Sequence, residues 1–560
     1  MIEILLSLIL FIFLIIITGS IISINIFKLD CNSLEIYEVG LLGIIFLVFL
    51  SFVFHLIVPL DEIFNSFIFI LLIFFFIFKT EKKIFKNFKL DYKLILISFI
   101  LILIMTLKYN PNEDYGYYHL PFIINLVSQK IIFGLSNLQP QFGWNSTWLN
   151  FSSILYLPIL EIKGTQLSNS LLSFFIFYMF LKEIFNKKNK NNISYLFILF
   201  LASYVIIKFS RISEHGFDFP ANIYLLLTIF YFIKLFEENN VYKINKYFIL
   251  VCCFGLFALT VKLSTFIAPF IVLLASFLIY KKKIYSSLIK IPIIFCFVFF
   301  LFWLLQQFIF TGCFVPHFKF TCIQSMEWYT YDISKMISGL TGSVNKSFNH
   351  YDGNLLKEEY IKDFNWVGTW FERNKIELFE HLAAILLPFI ILFLINIKST
   401  FSNLKKINIL ANSNQLCLVA LLILTIIGLS IWFLKSPVIR FGIPYLFLLI
   451  FLILIITISL TKMDFDKGIY FIITLCIIFN FTKNVNRVLN NNSESYWPEI
   501  LTINFSTKKQ NGFIINYPDS SDKYFKTKLC WSTPYICSVT KGEKLKFNKK
   551  FSYTFITKEF

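Results

Sequence analysis

Long apolar runs constrain the fold of this chain more than any other feature. About fourteen segments of roughly 17 to 22 mostly apolar residues follow one another between Ile4 and Thr482, and such segments can cross the ~30 Å hydrocarbon core of a bilayer. Hydrophobic residues make up 57% of the 560 residues, and the mean hydropathy is +0.72. These values exclude an ordinary water-soluble domain. We therefore predict an all-α, multi-pass membrane protein with about fourteen transmembrane helices.

Lysine clusters between the apolar runs predict the orientation of the chain. The net charge is +18, but the lysines gather in short segments, at 79–93, 182–190, 243–246, 281–290, 398–406 and 462–467. Short basic loops remain on the cytoplasmic side, so this pattern favours anionic lipid headgroups over nucleic acid as the partner. The loops at 110–166, 211–220, 311–378 and 435–440 then face outward, as both termini do. In a bacterium, this places the protein in the inner membrane.

The first outward loop carries a pair of carboxylates. Glu113 and Asp114 follow an apolar run and stand among tyrosines, with His119 close by. Such a pair can act as a general base or bind a divalent cation, although an ordinary solvated loop has the same composition. The interrupted apolar stretch that follows, to residue 166, predicts interfacial helices with Trp144 and Trp148 at headgroup depth.

A second outward loop adds further acidic residues. Glu214, His215 and Asp218 lie within five residues just before an apolar run. Asp218 with Pro220 would also suit the N-terminus of a helix, and that is the simpler interpretation. Two acidic loops on one face nevertheless predict a shared site for proton transfer or for a divalent metal such as Mg²⁺ or Mn²⁺, with Asp114 and Asp218 as ligands.

Two cations stand at the outward ends of apolar runs. Lys262 and Arg440 are placed where a charge must either extend to the interface or pair with an anion. For Lys262, a side chain that extends to the membrane interface is the simpler interpretation. Arg440 lies between Pro437 and Pro444, which indicates an irregular helix entry, and an arginine can bind a phosphate through two parallel hydrogen bonds.

Cysteine spacing and composition divide the rest of the chain. Cys313 with Cys322, and Cys530 with Cys537, are close in sequence and lie in outward segments, so we predict two disulfides. Residues 1–482 form the predicted membrane domain. The loop at 311–378 is a candidate lid or acceptor surface. Residues 483–560 form a small external domain, β-rich or α/β, because short alternating segments recur there.

The overall pattern resembles the C-type glycosyltransferase superfamily: many membrane helices, an acidic residue in an early external loop, interfacial helices after it, and a later external arginine near a proline. More narrowly, a set of short motifs resembles a bacterial family of polytopic proteins of this type that has no assigned reaction. These motifs are residues 114–121, 144–151, 216–220, 262–264, 440–442 and the Cys530–Cys537 segment. The similarity covers nearly the whole chain. The chain departs from better-known members of the superfamily by having several helices, instead of one, before the acidic loop.

The resemblance implies a reaction and a role for each candidate residue. These enzymes transfer a sugar from a polyprenyl-phosphate-linked donor to an external glycan, lipid or protein acceptor. Asp114 would be the base, with Glu113 second to it, and Asp218 or Glu214 would assist, directly or through a divalent metal. Arg440 and Lys262 would hold the donor phosphate. His119 and His215 are further site candidates.

Two other classes of protein fit part of the pattern. A polysaccharide polymerase or ligase also has a large external loop and basic phosphate-binding residues, but it should depend on external arginine more than on Asp114. A transporter should place charges near the membrane midplane and show an inverted repeat. Neither feature of a transporter is evident in the sequence.

Overall fold

The structure is a computed structural model, and it confirms a mostly helical architecture. It describes residues 1–30, 33–79, 91–108, 112–144, 146–186, 192–208, 215–282, 290–402, 412–458, 465–490, 495–522, 524–539 and 545–558.

The helices follow the apolar runs of the sequence. They are α1 (Ile2–Ser20), α2 (Ile36–His55), α3 (Glu62–Lys79), α4 (Tyr92–Thr106), α5 (Leu120–Ser128), α6 (Thr147–Ile154), α7 (Glu161–Thr165), α8 (Ser168–Phe185), α9 (Ile193–Lys208), α10 (Asp218–Glu237), α11 (Val241–Val261), α12 (Ala268–Lys281), α13 (Lys290–Thr311), α14 (Ile333–Ser343), α15 (Lys357–Ile361), α16 (Val367–Ser402), α17 (Asn412–Lys435), α18 (Ile439–Ile458) and α19 (Phe465–Leu489).

Among the described residues, eleven helical segments are long and apolar enough to cross a membrane. Three further apolar helices, α4, α9 and the described part of α18, are shorter. The predicted count of fourteen spans is therefore not established, because these three helices do not reach the length of a full span. Two boundaries also differ from the prediction. α19 continues to Leu489, beyond residue 482, and α16 begins at Val367, inside the segment predicted as a loop to residue 378.

Neighbouring helices define two ends of the bundle. α10 and α11 pack along each other and are joined by a short connection, so they run in opposite directions. The end where α10 finishes and α11 begins contains buried ion pairs: Lys246 contacts Glu38 at 2.9 Å, and Lys234 contacts Glu183 at 2.6 Å. The start of α10 and the finish of α11 lie at the other end, together with the start of α18.

The region predicted to lie in the membrane interface is instead packed inside the protein. Helices α5 and α6 are short, and nearly all of their residues are buried. Trp148, which we predicted at headgroup depth, is fully buried and contacts Phe151 and Phe257. The prediction for Trp148 was wrong because an apolar stretch interrupted by polar residues suits a buried connection as well as an interfacial helix.

The C-terminal residues form two β-hairpins. β1 (Phe505–Gln510) pairs with β2 (Phe513–Pro518), and β3 (Leu545–Lys550) pairs with β4 (Tyr553–Lys558), both antiparallel. We call the described residues from 495 to 558 the C-terminal lobe. The lobe is attached to the helical part through Phe133, which forms a parallel bridge with Phe555.

Both predicted disulfides are present. Cys313 is bonded to Cys322, just after α13, and Cys530 is bonded to Cys537 in the C-terminal lobe. Each bond closes a short loop, and the second lies directly beside the acidic turn described below. Cys252, Cys253, Cys417 and Cys476 are free and buried, as expected for packing residues.

Candidate active site

The structure brings together four charged residues that are far apart in sequence. Arg440 Nε lies 2.6 Å from Asp218 Oδ2, and Arg440 Nη2 lies 3.9 Å from Asp114 Oδ2. Lys262 Nζ donates to Asp218 Oδ1. We call Asp114, Asp218, Lys262 and Arg440 the charged cluster. It lies at the end of the bundle where α10 and α18 begin and α11 ends.

Helix ends and backbone contacts fix the position of each charged side chain. Asp218 is the first residue of α10, and Lys262 immediately follows α11. The amide of Asn222 donates to the carbonyl of Arg440 at 2.9 Å, which ties the start of α18 to α10. The Tyr445 hydroxyl donates to the Ser264 carbonyl, which ties α18 to the segment after α11. The cluster is therefore built on helices that are bonded to one another.

Aromatic rings pack against the cations. The Lys262 ammonium lies 3.7 Å from the centroid of the Phe441 ring and 5.1 Å from that of Phe217. The Arg440 guanidinium lies 5.6 Å from the same Phe441 ring. Cation–π attraction of this kind is stronger where water is partly excluded. The aromatic rings therefore add to the attraction of Asp218 in stabilising the positive charges of Lys262 and Arg440 near each other.

The four side chains of the charged cluster differ in how much of each is exposed to solvent. Side-chain exposure is 19% for Lys262, 27% for Asp218, 42% for Asp114 and 53% for Arg440. Arg440 and Asp114 are therefore the two members most accessible to a ligand, whereas the Lys262–Asp218 pair lies behind them.

The electrostatic environment separates the two carboxylates. Asp218 receives direct bonds from two cations, so its negative charge is compensated on both oxygens. Burial raises the pKa of Asp114, and Arg440 opposes this effect only in part. Burial also lowers the pKa of Lys262, although the neighbouring Asp218 acts in the opposite direction. Of the two carboxylates, Asp114 is therefore the better proton acceptor.

The two histidines occupy different surroundings. His215 is fully buried, its Nε2 lies 2.9 Å from the Thr165 hydroxyl, and burial lowers its pKa to about 3. It packs within the fold, stacked on Tyr115. His119 is also buried, its ring contacts Phe217, and its pKa lies well below the usual value because of burial. Burial therefore disfavours the charged form of both rings.

The remaining acidic candidates do not join the cluster. Glu113 is exposed, and it forms no ion pair with Lys262 or Arg440, all three being described residues. Glu214 lies outside the described residues. Within the ranges that the structure describes, no group of three or more histidine, cysteine or acidic residues is suited to a metal ion. The oxygens of Asp218 already face cations, so this donor set does not fit Mg²⁺ or Mn²⁺, and we derive no step through a metal.

Trp531 in the C-terminal lobe is the contact that sequence analysis missed. Its backbone N–H donates to the Gly116 carbonyl at 2.9 Å, and its ring packs edge-on against Tyr115. A Cβ placed on Gly116 would lie only 2.3 Å from Trp531 Cε2, so the approach requires glycine. Gly116 lies in a short π-helix, Tyr115–His119, and Asp114 is the N-cap of this helix. We call Asp114 and the first residues of this helix the acidic turn. The disulfide loop of the lobe therefore covers the turn that carries Asp114.

This contact predicts strong coupling between positions 116 and 531. Gly116→Ala should clash with the indole, and Trp531→Ala should lose packing worth about 3 to 5 kcal/mol. The double variant should lose less stability than the sum of the two, by about 1 kcal/mol, because the alanine methyl then occupies vacated space. Thermal unfolding of the purified protein measures both effects.

Gly339 supplies the matched control for this cycle. A Cβ on Gly339 would meet no atom within 4 Å, so Gly339→Ala and Trp531→Ala should be additive. Additivity in the Gly116 pair as well would contradict the contact.

The fold and the site define a multi-pass, mostly helical membrane protein with two carboxylates and two cations gathered at one end of its helices. The chain belongs to the family described as "Domain of unknown function (DUF8201)", whose profile matches residues 1–447. No curated protein and no solved structure matches the chain. α19 and the C-terminal lobe lie beyond the matched residues.

Proposed function

We propose that the protein is a membrane glycosyltransferase that transfers a sugar from a polyprenyl-phosphate-linked donor to an external acceptor during assembly of cell-envelope glycan. The main observation in support of the proposal is that Arg440 lies close to both Asp114 and Asp218. The resemblance to C-type glycosyltransferases names these same three residues. Their contact supports the resemblance because the predicted topology places these residues on one face of the membrane without requiring their side chains to pair.

In the proposed reaction, Asp114 accepts the proton of the acceptor. The acceptor hydroxyl or amine loses its proton to the Asp114 carboxylate while its oxygen or nitrogen bonds to the anomeric carbon of the donor sugar. The bond between that carbon and the phosphate oxygen breaks, and the electron pair leaves with the polyprenyl phosphate. A carboxylate with a raised pKa suits the task, since general-base catalysis is most effective when the pKa approaches the working pH.

Arg440 binds the donor phosphate and stabilises the charge that develops on it. Its side chain is the most exposed of the cluster, and its planar guanidinium matches the geometry of a phosphate. Lys262 lies behind it and adds positive charge. Asp218 acts as a positioning residue, since it contacts both cations and orients them before the donor arrives.

The distribution of lysines supports an outward-facing cluster. Lys182, Lys234, Lys246 and Lys282 lie at the helix ends opposite the cluster. If short basic segments mark the cytoplasmic side, the cluster faces outward, where lipid-linked sugar donors require no nucleotide.

An impermeant thiol reagent tests this orientation. Asn112→Cys places a thiol two residues before Asp114, and it should be labelled in intact cells whose outer barrier has been permeabilised. Lys243→Cys, on an exposed part of α11 at the opposite end, is the control and should react only after the inner membrane is broken. The reverse pattern would contradict the outward orientation.

Reconstituted protein tests the reaction itself. The purified protein in liposomes should transfer labelled sugar from at least one member of a panel of polyprenyl-phosphate sugars and release polyprenyl phosphate. En bloc joining of oligosaccharides carried on lipid diphosphates would identify a polymerase or ligase instead. Movement of a solute across the liposome without covalent change would identify a transporter. Either result would overturn the proposal.

A further inference from the structure

Two loops outside the membrane spans present phenylalanine rings to the surroundings. Phe318 and Phe320 lie in the loop closed by Cys313 and Cys322, and they are 52% and 87% exposed. Phe551, in the turn between β3 and β4, is 94% exposed. We call Phe318, Phe320 and Phe551 the apolar rim. Rings this exposed gain little from the hydrophobic effect within the protein itself.

The turn at Phe551 differs from its counterpart in the other hairpin. Both hairpins have two-residue turns with positive φ, a geometry that favours Asn-Gly. The β1–β2 turn is Asn511-Gly512, with φ of 49° and 82°, which follows this preference. The β3–β4 turn is Phe551-Ser552, with φ of 48° and 66°. A phenylalanine in such a turn is unfavourable for the hairpin, so local turn geometry does not explain its presence.

An aromatic stack joins the β3–β4 hairpin to the segment that follows the disulfide loop. Phe133 stacks on Phe555 with centroids 4.5 Å apart and planes 11° apart, and Trp328 packs against both rings. Lys550 forms an ion pair with Glu327 at 2.5 Å. The β3–β4 hairpin therefore packs against the segment with Glu327 and Trp328, and these parts form one unit next to the disulfide loop.

This unit continues the outer face of the helices that reach the membrane boundary. Along α13, Phe297, Leu301 and Leu305 are exposed on the surface that a bilayer would cover. One turn further, Phe308 stacks on Phe314, 4.8 Å away, at the start of the disulfide loop. The other loop reaches α2, where the Tyr553 hydroxyl donates to the Leu56 carbonyl at 2.9 Å. The two loops that carry the rim are therefore each in contact with the end of a membrane-facing helix.

Basic residues flank the exposed rings. Lys319 lies between Phe318 and Phe320, and Lys549 lies two residues before Phe551, all of them exposed. Aromatic rings with adjacent lysines suit the boundary between acyl chains and phosphate headgroups, where the rings are buried and the lysines remain at the charged surface.

We propose that the apolar rim inserts into the headgroup–acyl boundary of the bilayer that the helices span, with its lysines on anionic headgroups. This interaction holds the C-terminal lobe against the membrane through two loops. It is independent of the proposed glycosyl transfer.

Photo-crosslinking of reconstituted protein tests the insertion. The amino acid p-benzoylphenylalanine replaces Phe320 or Phe551 in the full chain, in nanodiscs that contain phosphatidylglycerol. Phe297 on α13 gives the lipid-facing reference, and Asn511, in the equivalent turn of the other hairpin, gives the background. We expect lipid adducts at 320 and 551 in yields close to that at 297 and several-fold above that at 511. Background yields at both positions, or crosslinks to a second copy of the chain, would overturn the proposal.

Replacing the two residues of the β3–β4 turn gives a second test, with a variant that is expected to fold. Changing Phe551→Asn together with Ser552→Gly supplies the favoured turn residues, so Tm in detergent should stay the same or rise. The increase in Tm on transfer into phosphatidylglycerol nanodiscs should be smaller than for the wild type. An unchanged increase would contradict a role of Phe551 in the membrane.

Discussion

Asp114→Asn is expected to nearly abolish glycosyl transfer while folding and donor binding stay close to those of the wild type. The amide preserves the size and polarity of the side chain but cannot accept a proton from the acceptor. Loss of a general base lowers the rate by about 10²- to 10⁴-fold. The measurement is single-turnover transfer in liposomes, with donor binding measured separately.

Glu113→Gln is the matched control for this prediction. Glu113 is the adjacent carboxylate, but it is exposed and not paired with either cation of the cluster. It should therefore transfer at close to the wild-type rate. If Asp114→Asn kept near-normal activity while Arg440→Ala was inactive, the catalytic assignment would fail and a polymerase would become the better interpretation.

The pH dependence provides a further measurement on Asp114. The base must be ionised, so kcat/KM should fall as the pH drops through its pKa. Because burial raises that pKa, the acid limb should lie above the range of an ordinary aspartate. The Arg440 charge opposes this rise in the pKa, so Arg440→Ala should move the acid limb to still higher pH, whereas Arg440→Lys should not.

Arg440→Ala should weaken both donor binding and turnover. The guanidinium is proposed to contact the phosphate in the bound donor and again as negative charge develops on it, so its loss affects KM and kcat together. Removing one such charge-stabilising group lowers kcat by about 10²- to 10³-fold. Initial rates measured across a range of donor concentrations separate the two effects.

Two further variants test whether the effect at position 440 depends on the guanidinium group itself. Arg440→Lys retains the charge but not the planar pair of donors, so it should recover part of the binding and less of the turnover. Lys243→Ala removes an exposed cation of α11 at the opposite end of the bundle and should have no effect. If Arg440→Ala raised KM without changing kcat, the arginine would bind the donor without stabilising its departure.

Features that depend on local sequence could be predicted. The apolar runs predicted the helices because hydrophobicity and length are properties of the segment itself, and the two disulfides followed from cysteines only a few residues apart. The position of Asp218 at a helix start could be predicted for the same reason, since its neighbours include Pro220. The number of full spans could not, because α4 and α9 are apolar but short.

Features that depend on long-range packing could not be predicted. From the local sequence, the simplest prediction was that the Lys262 side chain extends to the membrane interface. In the structure, Lys262 instead pairs with Asp218 of a neighbouring helix. Trp531 carried no signal beyond its place between two cysteines, because a contact with Gly116 depends on how the lobe folds back. Trp148 shows the same limit, since burial by other parts of the chain is not visible in its own segment.

The cover of Trp531 over the acidic turn has a consequence for biogenesis. The ribosome makes Asp114 before most of the membrane helices and makes Trp531 after all of the described helices. The helices of a nascent chain can therefore enter the bilayer before Trp531 exists to contact Gly116. The site is completed only after the Cys530–Cys537 loop has been made and has folded back onto this turn. A premature stop within the C-terminal lobe would leave an inserted protein with an immature centre.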